Sequence, residues 1–197
     1  MPREARVITR ADLMPVEQYA KERAERRRAL LPVKKLRRIN VGPYATFYFE
    51  NFDTMLLQVQ EMLYIEKGGE AQIADELTAY NPLIPQQGEL VATLMFEIDD
   101  PVRREKVLGE LGHVEETVYF EVGGERVRAS FETDVERTTE AGKTSSVHFL
   151  RFRLTPQQIV KFRDDAAAAI LGLSHPNYAH MTALQPATRA ELAKDLG

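Results

Sequence analysis

The chain has 197 residues, 44% of them hydrophobic, with 26 Lys and Arg against 30 Asp and Glu, no cysteine and a formal net charge of −4, enough apolar material for a substantial core in one domain. Without cysteine it forms no disulfide, has no thiol nucleophile, offers no thiolate to a metal and ligates no iron-sulfur cluster of its own, so any metal would rest on His and carboxylates. No run approaches the roughly eighteen consecutive apolar residues of a membrane span, and MPREARVITRADL lacks the apolar stretch of a secretory signal, so a cytoplasmic protein without membrane contact is expected.

Residues 1–40 carry 12 Lys and Arg against 5 Asp and Glu, a net of +7, which leaves 14 against 25, a net of −11, for the rest. The two parts attract. A basic helical N-terminal segment (1–40) docked on an acidic single α+β domain (41–197) therefore competes with nucleic-acid binding as the meaning of the basic end. Thr9 and Asp12 have the spacing of a capping box and Pro15 suits a first turn, which predicts a helix over 14–31, stopped by Pro32. Its apolar stripe is thin (Val16, Tyr19, Ala20, Ala24, Leu30, Leu31), so the helix is expected to be peripheral.

Residues 39–50 read as extended, with Gly42-Pro43 as a bend before a strand over 45–49. Asn51 or Asp53 can cap the next helix, whose buried face is marked by Met55, Leu56, Val59, Met62 and Leu63. Gly68-Gly69 stops it and hinges a second helix over 70–80, which buries Ile73, Ala74 and Leu77 and ends where Asn81 precedes Pro82. Residues 90–98 are apolar on both alternating faces, as a central strand covered on both sides requires. Asp99-Asp100-Pro101 opens another helix.

Two alternating runs, 115–122 and 125–131, flank the turn Gly123-Gly124; counting outward sets Glu121 opposite Arg126 and Phe120 opposite Val127, so the register is chemically consistent. Residues 146–154 alternate, with His148, Leu150, Phe152 and Leu154 on one face. Thr155 to Gln158 is a capping box opening a helix through Phe162, and 166–173 is read as a buried strand despite its alanines. Together these elements predict an α+β fold, a mostly antiparallel β-sheet with packed helices and an N-terminal helical appendage.

Candidate chemistry concentrates in residues 47–85. Capping and solvation account for most of its acids, and Glu61 and Glu66 lie roughly 140° apart on a helix. Glu50, Asp53, Glu66 and Glu70 stand at element ends, where sites are usually assembled. With Asn51, Gly68, Gly69, Tyr80 and Asn81 they form three turns around one helical pair, and these are the candidate ligand- or partner-binding residues. His175 and His180, in a loop with Tyr178, are candidate metal ligands together with Glu66 and Glu70. Glu110 and His113 form one Glu-x-x-His where a di-iron centre needs two. Gly142-Lys143-Thr144 lacks the earlier glycine of a phosphate loop, and no Gly-x-Ser-x-Gly elbow occurs.

The phrases YFENFDTM, EMLYIEKGGEAQIADELTAYNPLIP and FEIDDPVRR, followed by HPNYAHM, resemble a bacterial family known only as a domain of unknown function, over nearly the whole chain. Members of that family tend to be encoded beside a rubrerythrin and an iron-sulfur protein resembling heterodisulfide reductase subunits. The resemblance implies an accessory role in redox or peroxide defence, with an iron-sulfur or rubrerythrin-like protein as partner. It brings no catalytic residues with it. The first expectation is thus an accessory or binding protein that offers the 47–85 unit as its surface. The second is a metal-dependent or carboxylate/His enzyme joining that unit to His175, Tyr178 or His180. Nucleic-acid binding through the basic segment ranks third, and a homo-oligomer is compatible with all three.

Overall fold

The computed structural model describes residues 6–131, 137–139 and 142–197; residues 1–5 of the basic N-terminal segment lie outside that range. Its strands are β1 (Arg38–Val41), β2 (Ala45–Glu50), β3 (Glu89–Phe96), β4 (Val118–Val122), β5 (Glu125–Arg128), β6 (Ser130–Phe131), β7 (Val147–Arg153), β8 (Ala169–His175) and β9 (Tyr178–Ala183). They pair antiparallel into two sheets, of order β1-β2-β3-β7-β6 and β5-β4-β8-β9. The helices are α1 (Val16–Leu36), α2 (Phe52–Glu66), α3 (Gly69–Tyr80), α4 (Pro101–Gly109), α5 (Pro156–Arg163) and α6 (Pro186–Leu192). The fold is α+β, as the sequence pattern predicts. Among the described residues no helix is long and apolar enough to cross a membrane.

Alternation along the strands decides which way each sheet faces. Phe47 and Phe49 of β2, Leu90, Ala92, Leu94 and Phe96 of β3, and Leu150 and Phe152 of β7 point toward Val118, Phe120 and Val122 of β4 and Leu171 and Leu173 of β8 in one buried core. Phe120 is its pivot: its ring centroid lies 6.2 Å from Phe49, 5.6 Å from Phe152 and 5.6 Å from Phe162 of α5. The opposite face of the first sheet is covered by the α2–α3 pair. There Met55, Val59 and Leu63 pack with Leu83, Ile84, Val91, Ile8 and Leu13 in a second cluster. β3 is the central strand of its sheet and is buried on both faces, which explains its unbroken apolar run.

The hairpin register is as the residue pairing requires, Glu121 opposite Arg126 and Phe120 opposite Val127. Its turn works because Gly123 and Gly124 both adopt positive φ, 54° and 80°, which a two-residue turn of matching twist demands. Elsewhere the boundaries differ from the pattern. The Thr9/Asp12 pair closes a separate 3-10 turn (Arg10–Asp12), and α1 begins only after Pro15. Pro32 does not end α1: it sits on the solvent side, where water can satisfy the carbonyl that its missing N–H leaves free, and the helix continues to Leu36. The 115–122 run starts as a 3-10 turn (Val114–Thr117), and the 125–131 run divides between sheets, β5 in one and β6 in the other. On α3, Ala74 faces solvent and Glu76 is buried in its stead, accepting a hydrogen bond from Gln72 Nε2 at 2.7 Å. The segment with His175 and His180 is a tight β8–β9 hairpin, not a loop, since Pro176-Asn177 suffices to turn the chain.

Gly172 of β8 lies opposite Tyr119 of β4, and a Cβ at Gly172 would stand 2.5 Å from the Tyr119 ring, whose other contacts include the Arg126 guanidinium at 4.1 Å. Gly172→Ala is therefore expected to destabilise the protein by about 1–3 kcal/mol in urea denaturation, because the ring must leave its place on the strand.

Candidate functional site

The outer face of the first sheet is not fully roofed by helices. Register places Tyr48 beside Thr93 and Glu50 beside Val91 on β2 and β3, and Thr93 beside Phe149 and Met95 beside Val147 on β3 and β7. This floor combines aromatic, thioether and hydroxyl groups. Thr54, Met55 and Gln58 from the start of α2 form one wall, Tyr80 and Leu83 after α3 a second, and Lys34 and Arg37 at the end of α1 a third. They bound a cavity of about 320 Å³, within the size range of small-molecule sites.

Glu50 is the acid of this cavity. Its carboxylate accepts from Thr54 Oγ1 at 2.7 Å and Thr93 Oγ1 at 3.0 Å, and among the described residues it makes no ion pair. Burial pushes its pKa up, against the two hydroxyl bonds and the more distant charges of Lys34 and Arg37. The hydroxyls are held in place by the helix start. Asn51 is the N-cap of α2: its Oδ1 accepts from Thr54 N–H at 2.9 Å while its own N–H donates to Thr54 Oγ1 at 2.9 Å. Capping and site geometry are thus one arrangement.

Tyr48 links the cavity to a second acid, donating from its hydroxyl to Glu97 Oε1 at 2.7 Å. Glu97 also accepts from Thr46 Oγ1 at 2.6 Å and from Arg38 at 3.1 Å, and these bonds, led by the Thr46 hydroxyl, hold its pKa below the usual carboxylate range. The two carboxyls on this face are therefore driven apart in acidity, Glu50 upward and Glu97 downward.

Arg37 borders the cavity and is 1% exposed. Its Nε donates to Phe49 O at 2.9 Å, its Nη2 to Glu50 O at 3.0 Å, and its two ends pair with Glu191 (3.1 Å) and Asp195 near the C-terminus. Burial raises the pKa of Asp195 against the pull of Arg37. Burial also opposes ionisation of Glu191, but its bonds from Lys194 and Arg37 outweigh that and lower its pKa. A different enclosed pair, His148 Nδ1 and Glu115 Oε2 at 3.6 Å, lies away from the cavity, with His148 Nε2 against Ser145 O at 2.9 Å; burial lowers the His148 pKa, opposed by Glu115.

Of the residues singled out by sequence, Glu50 and Tyr80 meet at the cavity and Asn51 caps the helix beside it. Asn81 serves the N-terminal segment, its amide accepting from Ile8 N–H at 2.7 Å and donating to Ile8 O at 3.0 Å. Asp53 is exposed along a shallow groove between α1 and α2. Glu66, Gly68, Gly69 and Glu70 lie at the other end of α2, so the three turns do not converge. There Glu66 accepts from Gln72 Nε2 at 2.8 Å, Gly68 N–H donates to Gln72 Oε1 at 2.8 Å, and Glu70 pairs with Arg10 at 2.6 Å, whose hydrogen bond lowers its pKa.

The histidines are also separate from this region. His175 has Nε2 3.2 Å from Gly112 O, while Nδ1 accepts from Asn177 N–H at 3.2 Å; His180 meets the Tyr178 ring edge-on, with centroids 4.6 Å apart, beside Gly42. Tyr178 OH accepts from the N–H groups of Tyr44 and Ala45 and donates to Val41 O, all at 2.8–2.9 Å, and so ties the β1–β2 turn. Among the described residues no group of three His, Asp or Glu is placed to hold a metal ion. The basic segment is joined to the acidic body by ion pairs, Arg10 to Glu70 and Arg23 to Glu61 at 2.8 Å.

Thr54, Thr93, Tyr48, Phe149, Lys34 and Arg37 were not singled out by sequence. The usable signal was Thr93, a hydroxyl inside an apolar run, on the strand face that pairs with Tyr48 and Glu50.

The family described as Protein of unknown function (DUF3501) matches residues 7–196, and the chain belongs to that family. A crystal structure of a protein of unknown function from Burkholderia pseudomallei K96243 is 36% identical, covers 97% of this chain and 100% of its own, and superimposes with a TM-score of 0.88. No curated protein matches the chain.

Two outcomes follow from the site's electrostatics. Because the folded-state pKa of Glu50 is raised, the native state holds a proton that the unfolded chain has released; its stabilising contribution is complete at acid pH and is lost as pH rises through the folded pKa. The stability difference between wild type and Glu50→Gln, from urea denaturation across pH, should therefore fall with rising pH above the ordinary glutamate range. Arg37→Met should cost about 3–5 kcal/mol, since it leaves Asp195 enclosed without its cation and Glu191 with Lys194 alone, and adding Asp195→Asn should recover part of that loss.

Proposed function

We propose that this member of the family is a small-ligand-binding accessory protein whose ligand occupies the Glu50 cavity. The observation that carries the reading is a half-open, mainly apolar chamber with a single carboxyl of raised pKa, oriented by Thr54 and Thr93 and free of any ion pair among the described residues. A carboxyl in such surroundings weakens the fold when ionised unless something else compensates it, and in clefts that pattern accompanies function. The redox or peroxide-defence setting, with an iron-sulfur or rubrerythrin-like partner, is supported by the family resemblance alone.

A second reading makes Glu50 a general acid or base acting on a substrate in the same chamber, favoured by the upward shift that brings a carboxyl nearer to neutral working pH. His175 and His180 do not line the chamber and have no part in it.

Both parts of the first reading are tested by complementation. Deletion of the gene should sensitise the host to peroxide, and wild type should restore tolerance, whereas a folded Met95→Trp variant, which fills the chamber from its floor, should not. Unchanged tolerance on deletion removes the redox setting; full rescue by Met95→Trp removes the cavity as the working site.

A further inference from the structure

We infer that the ligand class of the cavity is a protonated organic amine with an apolar body, its ammonium group seated against Glu50 and its body between Met55, Met95 and Phe149. This inference rests on the reading of the chamber as a binding site.

The charge pattern within the chamber carries it. Glu50 has two carboxylate oxygens, and one hydroxyl bond to each from Thr54 and Thr93 leaves further acceptor capacity. Neither threonine carries charge, so among the described residues the carboxylate has hydrogen bonds but no counter-ion in contact. Arg37 lines the same chamber but is not available: its guanidinium is engaged by Phe49 O, Glu50 O, Glu191 and Asp195. Lys34 is an exposed part of the wall whose charge reaches Glu50 from a distance, without an ion pair. A ligand that brings its own cation would therefore complete Glu50, whereas a ligand carboxylate would meet a like charge there.

The rest of the lining fits the remainder of such a molecule. Tyr48, Tyr80 and Phe149 supply aromatic surface, which tolerates an ammonium at its faces and an apolar chain at its edges. Met55 and Met95 add pliable thioethers that adapt to body shape. Exposed Lys34 disfavours a second positive charge on the ligand's outer end, so a monoamine fits better than a polyamine.

The methionines also provide the measurement. Met55 and Met95 line the chamber, while Met181 is exposed on β9. With methionine methyl groups labelled with carbon-13, the full chain is titrated at neutral pH with benzylammonium, benzyl alcohol and benzoate. Benzylammonium should shift the Met55 and Met95 signals and leave Met181 in place, and Glu50→Gln should weaken its binding by about tenfold to a hundredfold, the loss expected for a hydrogen bond to a charged group. Benzyl alcohol and benzoate should bind more weakly than the amine. Equal binding of benzyl alcohol or benzoate, or full retention of amine binding by Glu50→Gln, overturns the amine assignment while leaving the chamber a binding site. No response of Met55 and Met95 to any of the three overturns the amine assignment too; the chamber reading is judged separately, by the Met95→Trp complementation.

Discussion

A guanidinium withdrawn from water has few stable surroundings, and Arg37 has found one that joins distant parts of the chain. It follows α1, its own carbonyl accepts from Phe49 N–H at 2.9 Å, its side chain takes the carbonyls of Phe49 and Glu50, and its charge is met by Glu191 and Asp195. The end of α1, the end of β2 and the C-terminal turn are therefore mutually fixed. Phe49 is held through both its N–H and its carbonyl and Glu50, the next residue, through its carbonyl, and the Glu50 side chain is the acid of the cavity. Charge burial here costs stability in isolation, yet it fixes the main chain beside the carboxyl that lines the chamber.

The remainder of the site follows from the two faces of one sheet. On the inner face, β2, β3 and β7 present phenylalanine, leucine and alanine to the second sheet. On the outer face the same strands present Tyr48, Glu50, Thr93, Met95 and Phe149, and α2 covers only part of them. Rigid strands thus carry the floor and helix ends carry the walls. Such a division suits a site that needs fixed geometry beneath and adjustable contacts around it. The α2 start does both jobs at once, because Thr54 is a member of the capping arrangement and a donor to Glu50.

Local patterns were legible where one physical demand dominated. The Gly123-Gly124 hairpin, the buried stripe of α2 and the doubly covered β3 each follow from periodicity and turn chemistry, and Glu50 was visible as an acid at an element end. What was not legible depends on tertiary partners. Pro32 remains inside α1 because that side of the helix meets water, and Glu76 replaces Ala74 on the buried side because Gln72 satisfies it. Arg37 sits in a run of basic residues, with nothing local to separate it from Arg38, which is half exposed and pairs with Glu97. The Glu66 to Glu70 turn looked as chemical as Glu50, but it lies a helix length away and its acids are used in surface bonds.

The order of synthesis adds a consequence of this topology. β3 pairs with β7, yet the residues between them build β4, β5 and β6, so the floor strand with Val147 and Phe149 leaves the ribosome long after Glu50. The counter-charges of Arg37 emerge later still, at positions 191 and 195. A nascent chain therefore carries an open chamber with an incomplete floor, and an unmatched cation, until those positions have emerged. Neutralisation of Arg37 is therefore the later of the two events, so the main chain of Glu50 acquires its full support only after the strand that completes the chamber floor.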